Sequence, residues 1–167
     1  MTGAFASGKT EFICTISEAE IFNPIFTLKN GRSVSFDAGQ VVIGENLFLQ
    51  FYGNPGAVRS DAVFMTRKQG MLGAIVMVDS TQPTTFREAR SILETLRAYR
   101  QEFYPYIVAC NKQDRADAWS PEDLRIALRA RKDEVFLPCV ATDKESVKNV
   151  LLVLLQQILD SFEAWGI

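Results

Sequence analysis

Apolar positions along the chain fall into two alternating kinds of segment. Short unbroken runs occupy residues 73–78 (Gly73-Ala74-Ile75-Val76-Met77-Val78), 106–110 and 135–139, the composition of strands buried on both faces. Between them lie stretches of helical period. Residues 86–99 place Ala89, Ile92, Leu93 and Leu96 on one stripe, and residues 9–20 place Phe12, Ile13 and Ile16 on one side. Residues 121–131 predict a helix opened by Pro121 and capped by Ser120, and residues 145–163 predict the last helix. Residues 33–43 and 46–52 read as an antiparallel hairpin turned by Gly44-Glu45-Asn46, with Asp37-Ala38-Gly39 interrupting its first strand. Residues 23–32, carrying Pro24 and Asn30-Gly31, predict a loop or frayed strand, and residues 57–69 a short helix. Strands alternating with helices predict one α/β domain over residues 1–167, a three-layer, doubly wound, mostly parallel sheet.

Composition narrows the class without naming a chemistry. The 167 residues are 47% hydrophobic and 23% charged, ordinary for a globular domain able to bury a full core. A formal net charge of −2 gives no electrostatic footprint for nucleic acid or an anionic membrane. No apolar run has the length of a membrane span, and no secretory signal or lipidation pattern is visible, so a cytoplasmic protein is expected. Cys14, Cys110 and Cys139 are odd in number, sit among apolar neighbours and lack metal spacing, which predicts buried, reduced thiols. The chain has no histidine, so every mechanism that needs one is excluded.

Chemistry begins at the N-terminus. Gly3-Ala4-Phe5-Ala6-Ser7-Gly8-Lys9-Thr10 is G-x-x-x-x-G-K-S/T, the P-loop pattern, and it precedes an amphipathic helix. In such a loop the backbone N–H groups of Ala6, Ser7, Gly8, Lys9, Thr10 and Glu11 would cradle phosphate, and Gly3, the first glycine of the pattern, is counted with them as a nucleotide-binding residue. Lys9 would bridge the β- and γ-phosphates, the Thr10 hydroxyl would ligate Mg²⁺, and these two are the candidate catalytic residues. The strand that should deliver the chain to the loop is reduced to Met1-Thr2. A second motif, Asn111-Lys112-Gln113-Asp114, directly follows a buried strand. Asp114, an acceptor-only carboxylate, suits the N1–H and N2–H₂ donors of guanine, a pair adenine lacks. Asn111 can tie this turn to the P-loop, and the Lys112 stem can lie over a base.

With both motifs in place, the chain resembles the Ras-like small GTPases over nearly its whole length. Within them it is most similar to the bacterial branch related to the gliding-motility regulator. Phe51-Tyr52-Gly53-Asn54-Pro55-Gly56 occupies the slot of the family's D-x-x-G segment, in the aromatic-Gly-x-Pro-Gly form of that branch. The resemblance implies that the Gly56 N–H senses the γ-phosphate and that the Ser33 hydroxyl reaches Mg²⁺. It also implies that Val140-Ala141-Thr142 contacts the guanine oxygen, bringing Ala141 and Thr142 into the site. Three positions depart from the pattern. Gly53 stands where the family has the aspartate that holds a Mg²⁺ water, and Ala57 where it has the glutamine that orients the attacking water. Phe5 stands where Ras has a small residue. Arg32 and Arg59 could substitute internally for an arginine finger, although solvated surface arginines are the plainer reading. Asp79 ends a run shaped like a Walker B strand; the resemblance makes it the strand-to-helix turn, with a secondary option of replacing the lost aspartate.

The function this implies is a guanine-nucleotide switch using GTP, GDP and Mg²⁺, with slow hydrolysis of GTP to GDP and phosphate. Residues 23–36 and 53–69 would order on GTP and release on hydrolysis. A nucleotide-holding scaffold with negligible turnover is the alternative, and an ATP-dependent P-loop enzyme is disfavoured by the Asn111–Asp114 turn. Partners implied are an effector and an activating protein, a roadblock-type candidate, around a monomeric chain. The Ras-like order sets the P-loop strand between the 46–52 and 73–78 strands. Leaving that slot empty would orphan backbone groups on both neighbours at roughly 1–3 kcal/mol each. The natural chain is therefore expected to start upstream of Met1, within the central strand.

Overall fold

The computed structural model describes residues 1–18, 20–27, 31, 33–45, 47–54, 70–98 and 105–165. Strand β1 (Thr2–Gly3) leads into helix α1 (Lys9–Ile16). Strands β2 (Ile25–Thr27), β3 (Ser33–Ser35), β4 (Asp37–Gly44) and β5 (Leu47–Gly53) follow. Then come β6 (Ala74–Asp79), a 3₁₀ turn (Pro83–Thr85), α2 (Phe86–Ala98), β7 (Tyr106–Asn111), α3 (Pro121–Ala127), β8 (Val135–Pro138) and α4 (Lys144–Trp165). β1, β6, β7 and β8 form a parallel sheet in that order, while β4 pairs antiparallel with β5 and β2 with β3. The α/β fold with a mostly parallel sheet is as the sequence predicts.

Every residue of β6 and β7 is buried, which explains their continuous apolar runs. Because side chains alternate across a sheet, each strand feeds two cores. Ile75, Met77, Ile107 and Ala109 pack with Phe12, Ile13 and Ile16 of α1 and with Val147, Val150 and Leu154 of α4. Val76, Val78, Val108 and Cys110 pack with Ile92, Leu93 and Leu96 of α2 and with Leu124 of α3. These two cores, one on each face of the sheet, lie between the three layers.

The central slot is filled at one end. Thr2 and Gly3 pair with Val76 and Met77 of β6. On the other side the Met1 amino group donates to the Tyr52 carbonyl, and the Asn54 N–H donates to the Met1 carbonyl at 2.9 Å. Met1 therefore lies beside Gly53 and joins the β4–β5 hairpin to the parallel sheet. Burial pushes the Met1 amine down to about 5, with the Lys9 charge adding to it. Beyond Met1 the facing edges of β5 and β6 bound a cleft of about 370 Å³ lined by Phe48, Phe51, Ile75, Leu151, Leu154 and Ile158. Asn54 also lines it, and its buried Oδ1 has no hydrogen-bond partner among the described residues.

Several boundaries differ from the sequence expectation, each for a tertiary reason. α1 stops at Ile16, short of residue 20, because Ser17 turns extended and its hydroxyl exchanges hydrogen bonds with the Gln40 backbone of β4. The predicted 33–43 strand is two strands. Phe36 is buried and its N–H bonds to Pro24 O, so β3 pairs back onto β2 while Asp37-Ala38-Gly39, read as an interruption, begins β4. Gly39 is required there, since a Cβ would stand 2.5 Å from Ile13 of α1. α3 ends at Ala127, before residue 131, where Arg129 takes a left-handed φ of 52° and Arg125 bonds the Arg131 and Glu134 carbonyls. Cys110 and Cys139 are buried free thiols, pushed up to about 12 and about 11 by that burial. Cys14 is exposed, a correction: Phe12, Ile13 and Ile16 take the inward face of α1 and turn it out. The helix predicted at 57–69 lies outside the described residues. Among the described residues no helix is long and apolar enough to cross a membrane.

A buried polar cluster locks the far side of the sheet. Glu134 accepts from Arg97 Nε and Nη2 at 2.7 Å each, from the Tyr106 hydroxyl, and from the Arg131 N–H at 2.7 Å. Burial alone would raise the Glu134 carboxyl, but these donors outweigh it and hold it below the usual range. Burial, reinforced by Glu134, pushes Tyr106 up to about 12.

Candidate functional site

The loop between β1 and α1 curls under its own lysine. Ala6 (φ 58°) and Gly8 (φ 98°) take left-handed conformations, and such a turn directs successive N–H groups to one concave side. Lys9 is 7% exposed, with Nζ donating to Gly3 O at 3.0 Å, Ala4 O at 2.7 Å and Ser7 Oγ at 3.3 Å. Burial lowers its pKa, opposed by the charges of Glu88 and Asp37. An ammonium held at a nest of N–H groups where a helix begins is chemistry for an anion. Phe5 is 77% exposed and Glu11 is exposed on the first turn of α1. The exposed Thr10 donates its hydroxyl proton to Asp37 Oδ2.

Asn111, at the end of β7, clasps the loops together. Its Nδ2 donates to Ser7 O at 3.0 Å, and its Oδ1 accepts from the Ala141 N–H at 2.8 Å. It is 2% exposed, so both bonds are made away from water. The clasp explains Gly8: a Cβ there would stand 2.2 Å from Asn111 Nδ2 on a backbone that L residues rarely adopt. Thr15 of α1 holds the Ala141 peptide from its other side, donating to Ala141 O at 2.6 Å. Thr142, next along, is exposed. Asp114 is exposed at the mouth of the same turn, while Gln113 Nε2 braces it against Ser80 Oγ and Trp119 O at 2.9 Å.

Lys112 has a partner the sequence does not announce. It takes φ 66° and reaches Asp79 Oδ2 at 2.5 Å, while Asp79 Oδ1 accepts from the Thr81 N–H and hydroxyl. Burial would raise the Asp79 carboxyl; the Lys112 and Thr81 bonds outweigh it and lower it. With both oxygens so engaged, Asp79 closes the strand-to-helix turn. Ser33 sits exposed on β3 opposite Thr27, and Thr10 makes its side-chain bond to Asp37 rather than to Ser33. Gly56, Ala57, Arg32 and Arg59 lie outside the described residues. Among the described residues no group of three or more acidic, cysteine or histidine side chains is placed to hold a metal.

A sequence model of the ADP-ribosylation factor family matches residues 2–158. The chain belongs to this family. The family places it among small GTPases of the Arf/Ras type. The chain is similar to the Ras-related protein RABA6a of Arabidopsis thaliana, 26% identical over 160 residues, covering 95% of this chain and 67% of that protein. It is also similar to a Ras and EF-hand domain-containing protein homolog of Caenorhabditis elegans, 23% identical over 95% of this chain. The chain spans a quarter of that relative's length (25%). Among solved structures it is similar in fold to the Arl6 (BBS3) small GTPase of Trypanosoma brucei with the bound nucleotide analogue GppNp. There the TM-score is 0.71 and the identity 18%, with 96% of this chain and 95% of that one covered.

Proposed function

We propose that the chain is a guanine-nucleotide switch that hydrolyses GTP slowly. One observation carries the reading: the Asn111 clasp, which joins the phosphate loop, the Asn111–Asp114 turn and the Ala141 peptide into one site. In this reading the N–H groups of residues 6–11 take the phosphates with Lys9, Gly3 opens the loop that carries them, and Gly56 senses the γ-phosphate. Asp114 reads the guanine N–H donors beside Ala141 and Thr142. Thr10 fits Mg²⁺, because a hydroxyl whose proton is given to Asp37 keeps its lone pairs for a hard cation. Mg²⁺ neutralises phosphate charge when bound. Ser33 is its second proposed ligand. The absence of a three-residue metal cluster among the described residues suits a cation held by one or two side chains plus phosphates. Gly53 and Ala57 supply neither the family's carboxylate nor its amide, which supports slow turnover and keeps the scaffold reading as the alternative. The aromatic-Gly-x-Pro-Gly form of Phe51–Gly56 supports a relation to the bacterial branch of the gliding-motility regulator; a roadblock-type activator, an effector, a cytoplasmic site of action and a monomeric state are proposed with that relation.

Two measurements test this. Titration with fluorescent GDP should show binding that Asp114→Asn weakens strongly, with preference moving to xanthosine nucleotides; unchanged GDP affinity in the variant would refute the role of Asp114. Single-turnover [γ-³²P]GTP hydrolysis should release phosphate faster than the protein-free control. A rate no higher than that control, with and without candidate activators, would leave the scaffold reading standing instead.

A further inference from the structure

We propose that Ser80 and Gln113 set base selectivity from behind the site, closing the loop from Asn111 to Trp119 on one buried node and so aiming the Asp114 carboxylate. The inference rests on the guanine-nucleotide reading above and concerns how its selectivity is held. Ser80 directly follows β6, is fully buried and meets that loop at three points. Its N–H donates to Asn111 O at 3.1 Å, and its carbonyl accepts from the Trp119 N–H at 2.9 Å. Its hydroxyl accepts from Gln113 Nε2 at 2.9 Å. The same Nε2 donates to Trp119 O at 2.9 Å, tying the start of the loop to its end. The Gln113 backbone is fixed from another side, its N–H donating to Cys139 O at 3.2 Å. Trp119 stands edge-on to the buried Phe86 at the start of α2, with ring centroids 5.3 Å apart.

The consequence follows from where Asp114 sits. It is exposed on a turn, outside any helix or strand. Among the described residues no side chain hydrogen-bonds its carboxylate, so its aim depends on the backbone that carries it. A carboxylate reading two donors on one base edge needs both of its oxygens aligned, and a supporting shell supplies that precision. Hypoxanthine keeps the N1–H of guanine and lacks the 2-amino group, so the two bases differ at only one of those contacts. A small tilt of the turn therefore erodes the choice between them before it abolishes binding. Gln113 braces the residue next to it from below, while Lys112 meets Asp79 one step earlier, so the β6 turn supports the base-reading turn at two consecutive residues. Ser80 and Gln113 are positioning residues that act through Asp114.

The experiment measures the affinities of GDP and inosine diphosphate by competition against fluorescent GDP, with thermal unfolding of each variant alongside. Wild type should prefer GDP. Ser80→Ala removes the hydroxyl and leaves both backbone bonds of that residue in place. Gln113→Ala removes two side-chain bonds from a half-buried position on a turn, where folding does not hang on it. Each variant should lower the preference for GDP over inosine diphosphate by about 3–10-fold, the scale of one neutral hydrogen bond. A tie that is merely structural would weaken both nucleotides equally. Folded variants that keep the wild-type preference, whatever their absolute affinity, therefore overturn this inference and leave the guanine reading standing. A wild type that binds no GDP, or binds the two nucleotides equally, overturns both this inference and the role of Asp114 beneath it.

Discussion

Asn111→Ala is expected to reduce GDP affinity on the order of 10²-fold or more, because it leaves two buried groups unpaired at about 1–3 kcal/mol each. The two are the Ser7 carbonyl, which loses its Nδ2 donor, and the Ala141 N–H, which loses its Oδ1 acceptor. Both belong to loops that meet the proposed ligand, one at the phosphates and one at the base. The variant therefore loosens the two ends of the site together. Asn111→Asp separates the two bonds, since it keeps the acceptor for Ala141 but sets a carboxylate against the Ser7 carbonyl. Equilibrium titration with fluorescent GDP reads the effect, and circular dichroism checks that the sheet persists. Unchanged GDP affinity in a folded Asn111→Ala protein would show that the clasp does not organise the site.

Glu134→Ala is expected to give the largest loss of stability, about 3–5 kcal/mol, because it strands a buried guanidinium. The Arg97 and Glu134 side chains are 9% and 2% exposed, so solvent cannot replace the lost partner. For a domain of this size that corresponds to a melting temperature lower by roughly 6–20 °C. Replacing Arg97 and Glu134 together with apolar residues of similar volume should cost far less, since no charge is then left unpaired. The pH dependence has a definite sign. The folded Glu134 carboxyl lies below its ordinary 4.5, so its contribution is complete above that value and is lost as pH falls through the lower, folded value. Thermal melts from neutral pH downward should show wild type losing part of its advantage over Glu134→Ala in acid. A gap that stays constant through the acid range would show that the cluster does not titrate with folding.

What the sequence discloses and what it hides divide along a physical line. The runs in β6 and β7 and the stripe on α2 are legible because burial on two faces, or on one helical face, leaves a periodic trace in neighbouring residues. Gly8 and Lys9 in the phosphate loop, and the tie from Asn111 to that loop, are legible because backbone conformation and hydrogen-bonding chemistry restrict those positions to few residue types. The break at Phe36 leaves no such trace, since Pro24 and the β2 strand cause it from a separate segment. The same holds for the contacts that complete the site. Thr10 meets Asp37 across 27 positions, Lys112 meets Asp79 across 33, and Thr15 meets Ala141 across 126. Each of these residues, read locally, is an ordinary polar residue at a helix surface or strand end. Their roles are set by which loops the parallel sheet gathers at one edge.

Thr15 gives the helix that follows the phosphate loop a second hold on the loop after β8. Its hydroxyl donates to Ala141 O while Asn111 Oδ1 accepts from the Ala141 N–H, so the backbone at Ala141 is gripped from two elements at once. Tethered on both sides, Ala141 cannot part from the phosphate loop without breaking a bond to α1 or to β7.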